Sequence, residues 1–324
     1  MNGERAYADK INKRIDKIIE AHPEIPCLKG YRYYISSMAP ASVYQYMGLV
    51  KNFMKFTGKS PEELRLDDYT TFLGKLKTES RTSSYQINAY TSLKKLSKYF
   101  KANQINDLDP MQYYDRPKPT ESIETQTKRE NNFLTKKEIK KMMDNVEFGI
   151  GDIWDIMRQD KTRERDMAII MILLNTGMRC SALTKLDLSN INDHIIRVIE
   201  KGSKIIDYPL GEETWEALQA WIAKRNQMEN KDPDALFVNQ RGGRLSQTSI
   251  ANITKKYSAN IKGKKISPHK LRATYGSQVY EATKDVYFVQ KAMHHSNPKT
   301  TEIYIRGQED ETKKASDIMS KLLK

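Results

Sequence analysis

Between residues 115 and 146 the chain reads "DRPKPTESIETQTKRENNFLTKKEIKKMMDNV", and its change of character midway divides the molecule. The first half, 115–131, is Pro, Thr, Ser and charge with almost no apolar periodicity. Such a composition has no face to bury, so it reads as a linker. The second half starts a helix. Thr135 and Glu138 stand in capping-box positions, Leu134 and Ile139 can staple the entry, and Met142, Met143 and Val146 make an apolar stripe. A boundary here suits a length of 324 residues, more than one core usually supports.

Upstream, residues 1–114 read as helices. In "SVYQYMGLVKNFMKF" (42–56) the apolar Val43, Tyr46, Met47, Val50, Phe53 and Met54 recur at helical spacing. Ser60 and Glu63 form another capping box, with Pro61 in the first turn. "SSYQINAYTSLKKLSKYFKAN" (83–103) places Leu93, Leu96 and Phe100 on one side. Lys94, Lys95 and Lys98 decorate the remainder, and Arg81 lies just ahead in "SRTSS". These cations are either a solvated face or a nucleic-acid contact.

Downstream, "MAIIMILL" (167–174) marks a buried helix over 164–176 that leads into a "TGMR" corner. "HIIRVI" (194–199) and "KIIDYPL" (204–210), joined by "EKGS", read as a β-hairpin. A helix over 213–227, a short strand "ALFVN" (235–239), a "QRGGRLS" turn and further helices follow. The expected fold is mainly α: an all-helical N-terminal domain over 1–114, and over 132–324 a mostly helical domain with a small antiparallel sheet.

Charge narrows the function classes. Lys and Arg number 55 against 41 Asp and Glu, a net charge of +14. Such an excess favours a polyanion, because each phosphate neutralised releases condensed counterions. The N-terminus lacks an apolar signal-peptide core, and no run approaches a membrane span. The expected compartment is the cytoplasm. Cys27 and Cys180 are too far apart in sequence and context to suggest a disulfide framework or metal knuckle.

Several polar residues can carry chemistry. In "SPHKLRATYGSQVY" (267–280) Ser267 can cap a helix and Pro268 can occupy its first position. His269 and Arg272, three apart, then share a face near the positive helix end, a pocket suited to phosphate. An ordinary surface pair is the alternative. Arg179, after Gly177 in the "TGMR" corner, sits at the end of a buried helix and needs an anionic partner, whether a carboxylate or a ligand. Lys201 sits at the hairpin tip, where lysines often serve only solubility. His294 and His295 precede Tyr304 by ten and nine residues. A paired-histidine metal site is disfavoured, because adjacent helical residues point about 100° apart, and no third ligand is near.

Taken in order, "TGMRCSALTKL", "IEKGSKIIDYPL", "SPHKLRATYGSQVY" and "HHSNPKTTEIYIR" resemble the tyrosine recombinases, or phage integrase family. Residues 25–110 are similar to the helical, SAM-like core-binding domain of that family. The resemblance implies a two-domain, Xer/Cre-like site-specific recombinase. Tyr304 would attack a DNA phosphodiester and become a 3′-phosphotyrosine. Arg179 and Arg272 would grip the non-bridging oxygens, Lys201 would protonate the 5′-hydroxyl leaving group, and His269 and His295 would assist by proton transfer and hydrogen bonding. These residue types suit the reaction. A phenol with a pKa near ~10 needs an electropositive site or a base, and two guanidiniums can neutralise a phosphorane without a metal. No clustered carboxylates or P-loop appear, so neither Mg²⁺ nor ATP nor any other cofactor is expected.

Two positions depart from the family pattern. Ala182 stands where an acidic residue is usual, which leaves the packing around Arg179 open. Met293-His294 replaces the usual Leu-Gly, so His295 is the matching histidine and His294 is expected on a helix surface or facing DNA. The resemblance further implies double-stranded core sites with inverted repeats and a tetramer on two sites, with an accessory directionality factor possible. The tail from about 308, with Ile318, Met319, Leu322 and Leu323, would be a helix docked on a neighbouring subunit or in cis. The expected role is a phage or mobile-element integrase. The alternatives are an Xer-like chromosome or plasmid dimer resolvase, a monomeric type IB-like topoisomerase, and a DNA-binding protein without catalysis.

Overall fold

The computed structural model describes residues 2–118, 133–200, 204–261, 264 and 266–294. It divides into two compact units, Met1–Ser122 and Ile123–Lys324. Lys201, His295, Tyr304, the tail from 308 and most of the 115–131 segment lie outside the described residues.

The first unit is helical: α1 (Asn2–Glu20), α2 (Cys27–Tyr34), α3 (Pro40–Thr57), α4 (Leu66–Thr78) and α5 (Ser83–Ala102). The capping box at Ser60 and Glu63 is present but starts only a short 3-10 turn, Pro61–Glu63. Thr82 caps α5 by accepting from the Tyr85 N–H at 3.3 Å. Helix α3 packs on α1, α2, α4 and α5, and Val50, Phe53, Leu93, Leu96 and Phe100 are all buried. The helical spacing of apolar residues read from the sequence is therefore the core of this unit.

The second unit begins with α6 (Lys136–Phe148), whose Thr135–Glu138 capping box is complete. Its entry is fastened to the last third of the chain. The Leu134 N–H donates to Thr274 Oγ1 at 2.9 Å, and Lys264 Nζ reaches Phe133 O and Glu138 Oε2 at 2.9 and 2.7 Å. Next come α7 (Ile153–Asp160), α8 (Arg163–Thr176) and the one-turn α9 (Cys180–Leu183). Helix α8 is buried on nearly every side, as a helix without a polar face must be. It packs against α6, against α10 (Glu212–Asn226) and against α12 (Pro268–Thr283). Helices α11 (Gln247–Tyr257) and α13 (Val286–Ala292) complete the described part.

The sheet among the described residues has three antiparallel strands in the order β1 (Ile191–Asn192), β2 (Ile195–Glu200), β3 (Lys204–Pro209). The register pairs Ile196 with Tyr208 and Val198 with Ile206. These four face the core, and Arg197, Ile199, Ile205 and Asp207 alternate outward. The hairpin was legible; β1 was not, being too short for a periodic signal.

The strand expected at "ALFVN" is not formed. Ala235 and Val238 make only isolated bridges, to Asp187 and Arg244. The carbonyls that a strand would spend on a neighbour accept from side chains instead. Arg225 Nε donates to Ala235 O at 2.8 Å, Trp221 Nε1 to Leu236 O at 2.9 Å and Arg165 Nη1 to Val238 O at 3.1 Å. Among the described residues, of the four consecutive buried residues 235–238 only Phe237 gives its carbonyl to a backbone N–H, that of Leu245 at 3.0 Å.

Candidate functional site

Three separated segments of the second unit meet around Arg272. The side chain leaves the second turn of α12 and is buried. Its Nη1 donates to the carbonyl of Gly177, and its Nη2 donates to the carbonyl of Met293 at 2.5 Å. One guanidinium thus ties the corner after α8 to the end of α13. A planar fork can serve carbonyls on both sides at once, which a lysine ammonium on a flexible stem does not reproduce.

The corner itself is forced. Gly177 ends α8 in the left-handed region at φ +60°, and its N–H closes on Leu173 O at 3.1 Å. Thr176 folds its hydroxyl back onto Ile172 O at 2.6 Å and accepts from the Met178 N–H at 3.1 Å. A Cβ at Gly177 would lie 2.9 Å from Tyr275 Cγ and 3.0 Å from Cε1, closer than real side chains approach. Only glycine satisfies both the backbone angle and the ring behind it. Two residues on, Arg179 caps α9 with its own backbone: its carbonyl accepts from the Ala182 and Leu183 N–H groups at 2.9 and 3.1 Å. Ala182 therefore contributes a backbone contact to this turn, and its side chain supplies no carboxylate.

His269 occupies the second position of α12, three residues before Arg272. Its surface area is that of an exposed residue, yet enough protein crowds the ring to desolvate it in part. That desolvation, followed by repulsion from Arg272 and Arg179, holds its pKa below the ordinary histidine value. Arg272 lies one helical turn after His269, and both arginines are near enough to disfavour a charge on the ring. Arg179, His269 and Arg272 thus form one electropositive cluster at the positive end of a 16-residue helix.

The remaining sequence candidates fall in three groups. Lys201, His295 and Tyr304 lie outside the described residues, although β2 and β3 end at Glu200 and begin at Lys204 on either side of Lys201. Lys94, Lys95, Lys98 and Arg81 belong to the first unit: Lys98 is exposed, Lys94 and Lys95 are half-buried on α5. The exposed Arg81 lies 5.5 Å over the Tyr85 ring and 3.4 Å from Glu79. His294 does not sit on a helix surface. It follows the end of α13 at φ +52° and packs edge-to-face on Tyr208 of β3, ring centroids 5.2 Å apart. A left-handed residue after a helix end is the usual way to leave a helix, and here histidine holds a place that glycine fills at no steric cost.

Sequence reasoning missed the Tyr275 buttress, the Met293 carbonyl and the Tyr208 contact. Only the unusual Met-His pair carried a signal, since it broke the expected Leu-Gly. Among the described residues no group of three His, Cys, Asp or Glu could hold a metal ion, and no helix is long and apolar enough to cross a membrane. Cys27 and Cys180 are free thiols, each pushed up to about 11 mainly by burial.

The sequence model of the phage integrase family matches residues 132–311. The tyrosine recombinase XerC of Caldanaerobacter subterraneus subsp. tengcongensis is 29% identical over 259 residues, 78% of this chain and 68% of that protein. XerC of Actinobacillus pleuropneumoniae serotype 7 is 38% identical over 143 residues, 43% of this chain and 46% of that protein. The chain spans about half the length of most of the curated relatives it matches. Among solved structures, XerH recombinase bound to a palindromic difH substrate aligns with a TM-score of 0.66 at 20% identity, covering 87% of this chain and 81% of that one. A lambda integrase dimer on a COC′ core site aligns at 0.65 and 17% identity, covering 87% and 96%. At these identities the likeness is one of fold.

Proposed function

Because the chain belongs to the phage integrase family, whose model covers more than half its length, we propose that it is a tyrosine recombinase that cuts and rejoins DNA at specific sites. The observation that supports this reading is that Arg272, three residues after His269 on α12, holds the carbonyls of Gly177 and Met293, with Arg179 two residues beyond Gly177. Two residues later comes His295, and Tyr304 follows within the same segment.

The reaction proceeds by transesterification. The Tyr304 oxygen attacks phosphorus; its bond to phosphorus forms as the bond to the 5′-oxygen breaks. Lys201 gives that oxygen a proton and releases a 5′-hydroxyl. Arg179 and Arg272 neutralise the charge that builds on the non-bridging oxygens, and such preorganised donors are typically worth about 10²–10³ in rate each. His269, its charged form disfavoured by burial and then by its cationic neighbours, can accept the phenol proton. His295 hydrogen-bonds the phosphate. Religation is the same exchange in reverse with a 5′-hydroxyl from another strand, so the phosphotyrosine conserves the bond energy and neither a metal nor ATP is consumed.

The helical unit over 1–114, with Lys94, Lys95, Lys98 and Arg81, serves as the core-binding domain on inverted-repeat sites. Residues 115–131 link it to the catalytic domain over 132–324, and the tail from 308 joins copies into a tetramer in the cytoplasm. A suicide half-site, nicked so that the cleaved end diffuses away, tests the chemistry in EDTA. A covalent adduct mapped to Tyr304 and absent in Tyr304→Phe is expected. An adduct on another residue, or a strict need for metal, overturns the proposal.

The biological setting we favour is integration of a phage or mobile element. The XerC names of the curated relatives favour dimer resolution as a second reading. Selection of bound sites from genomic DNA separates them. Sites at the ends of a mobile element support integration, and a single chromosomal locus supports resolution.

A further inference from the structure

His294 combines three features that no other described left-handed residue shares. Its backbone, at φ +52°, is one that glycine adopts freely and a residue with a side chain adopts only at a cost. Its ring stands edge-to-face on Tyr208 at 5.2 Å, and Tyr208 is itself buried in the core behind β3. The residue before it is fixed from the opposite side, where Met293 O accepts from Arg272 Nη2 at 2.5 Å. The chain then enters the segment that holds His295 and, nine residues on, Tyr304.

The contact therefore joins the exit of α13 to β3 through one ring. Tyr208 belongs to the strand whose start, Lys204, lies three residues after Lys201. Met293 belongs to the helix end held by an arginine of the phosphate cluster. A glycine at 294 would ease the backbone but remove the ring that packs on Tyr208. The His294 side chain therefore earns its backbone strain through the second attachment.

We propose that His294 is a positioning residue for strand cleavage. Its ring, clamped on Tyr208, sets where the nucleophile-bearing segment departs relative to Arg179, His269 and Arg272. The inference rests on the recombinase reading above, and it assigns His294 no contact with DNA and no proton. Its consequence is unusual for a point change, since stability and rate move in opposite directions. Replacing the histidine with glycine relaxes the backbone while loosening the geometry on which an in-line attack depends, and a displacement near 1 Å can cost about 10² in rate.

The test compares the wild type, His294→Gly, His294→Phe, Tyr208→Leu and the His294→Gly/Tyr208→Leu double variant on a suicide half-site at saturating DNA. Expected for His294→Gly are an equal or higher thermal midpoint, unchanged half-saturation by DNA, and a tenfold or greater fall in the rate of Tyr304 adduct formation. His294→Phe keeps an aromatic ring on Tyr208 and recovers part of that rate. Tyr208→Leu slows cleavage, and adding His294→Gly to it slows cleavage no further. Wild-type rates in His294→Gly, or a midpoint that falls in step with the rate, overturn the proposal. If the wild type itself forms no adduct on Tyr304, the recombinase chemistry fails first and the positioning role falls with it. An adduct in the wild type with no effect of His294→Gly removes only the latter.

Discussion

The most exposed prediction concerns Gly177→Ala. A methyl at this position meets two obstacles. At φ +60° the backbone is left-handed, which costs a non-glycine residue about 1–2 kcal/mol. The added Cβ also falls 2.9 Å from Tyr275 Cγ and 3.0 Å from Cε1, well inside contact distance. Overpacking of this kind costs about 1–3 kcal/mol. The smaller conformational freedom of alanine in the unfolded chain returns about 0.4–1 kcal/mol. The net is a loss of about 3 kcal/mol, near the middle of a range from about 1 to 5. For a domain of about 150–250 residues, each kcal/mol moves the thermal midpoint by about 2–4 °C, so a fall of about 9 °C is expected.

The two costs can be separated. Calorimetry of Gly177→Ala in the wild-type and Tyr275→Leu backgrounds forms a double-mutant cycle, and the coupling reads the steric part alone, about 1–3 kcal/mol. The angle penalty persists in both. Cleavage should fall as well, because the Gly177 carbonyl anchors Arg272 and Arg179 follows two residues later. A midpoint within a degree or two of wild type refutes the strain account. An equal loss in the Tyr275→Leu background shows that the ring is not the obstacle.

The other expectations follow from single side chains. Arg272→Lys keeps the charge but cannot bridge the carbonyls of Gly177 and Met293, so half-site cleavage should drop by about 10²–10³ while DNA binding persists. Asp166→Ala removes a buried carboxylate that accepts from Arg165 Nε at 2.9 Å, Lys256 Nζ at 2.9 Å and the Tyr257 hydroxyl at 3.0 Å. Stranding Arg165 should cost about 3–5 kcal/mol in urea denaturation. For His269, the folded-state pKa lies below the unfolded value, so its contribution to stability is complete above about pH 6.5 and is lost as the pH falls through the folded value. An NMR titration should place its midpoint below an ordinary histidine, and Arg179→Gln, by removing one of the repelling cations, should raise it.

How far the sequence predicts this molecule depends on how local each signal is. The capping boxes at Ser60 and Thr135 and the stripe of α5 are written within a few residues and appear where expected. The "TGMR" and "HKLR" motifs are just as local, and from them Arg179, His269 and Arg272 were singled out as candidates. What failed was non-local. Residues 235–238 look like a strand because they are apolar and contiguous, but side chains from α8 and α10 took their carbonyls. Tyr275 behind Gly177 and Tyr208 beneath His294 are contacts between residues 98 and 86 positions apart, and no periodicity encodes them. The expected helix-surface place for His294 failed for the same reason.

The same charge has two uses at this site, and they explain why its arginines are not interchangeable with other cations. Arg272 donates to the backbone carbonyls of Gly177 and Met293, a fork geometry that a single ammonium does not reproduce. Its positive charge is not neutralised by carbonyl dipoles and adds to that of Arg179 at His269. Burial of the imidazole, and then repulsion from the two arginines, disfavours its charged form, and the neutral form is the one that can take a proton. In the proposed reaction, a phosphate bound beside the two guanidiniums would oppose the field felt by the ring, so the proton affinity of His269 would rise when the substrate is present.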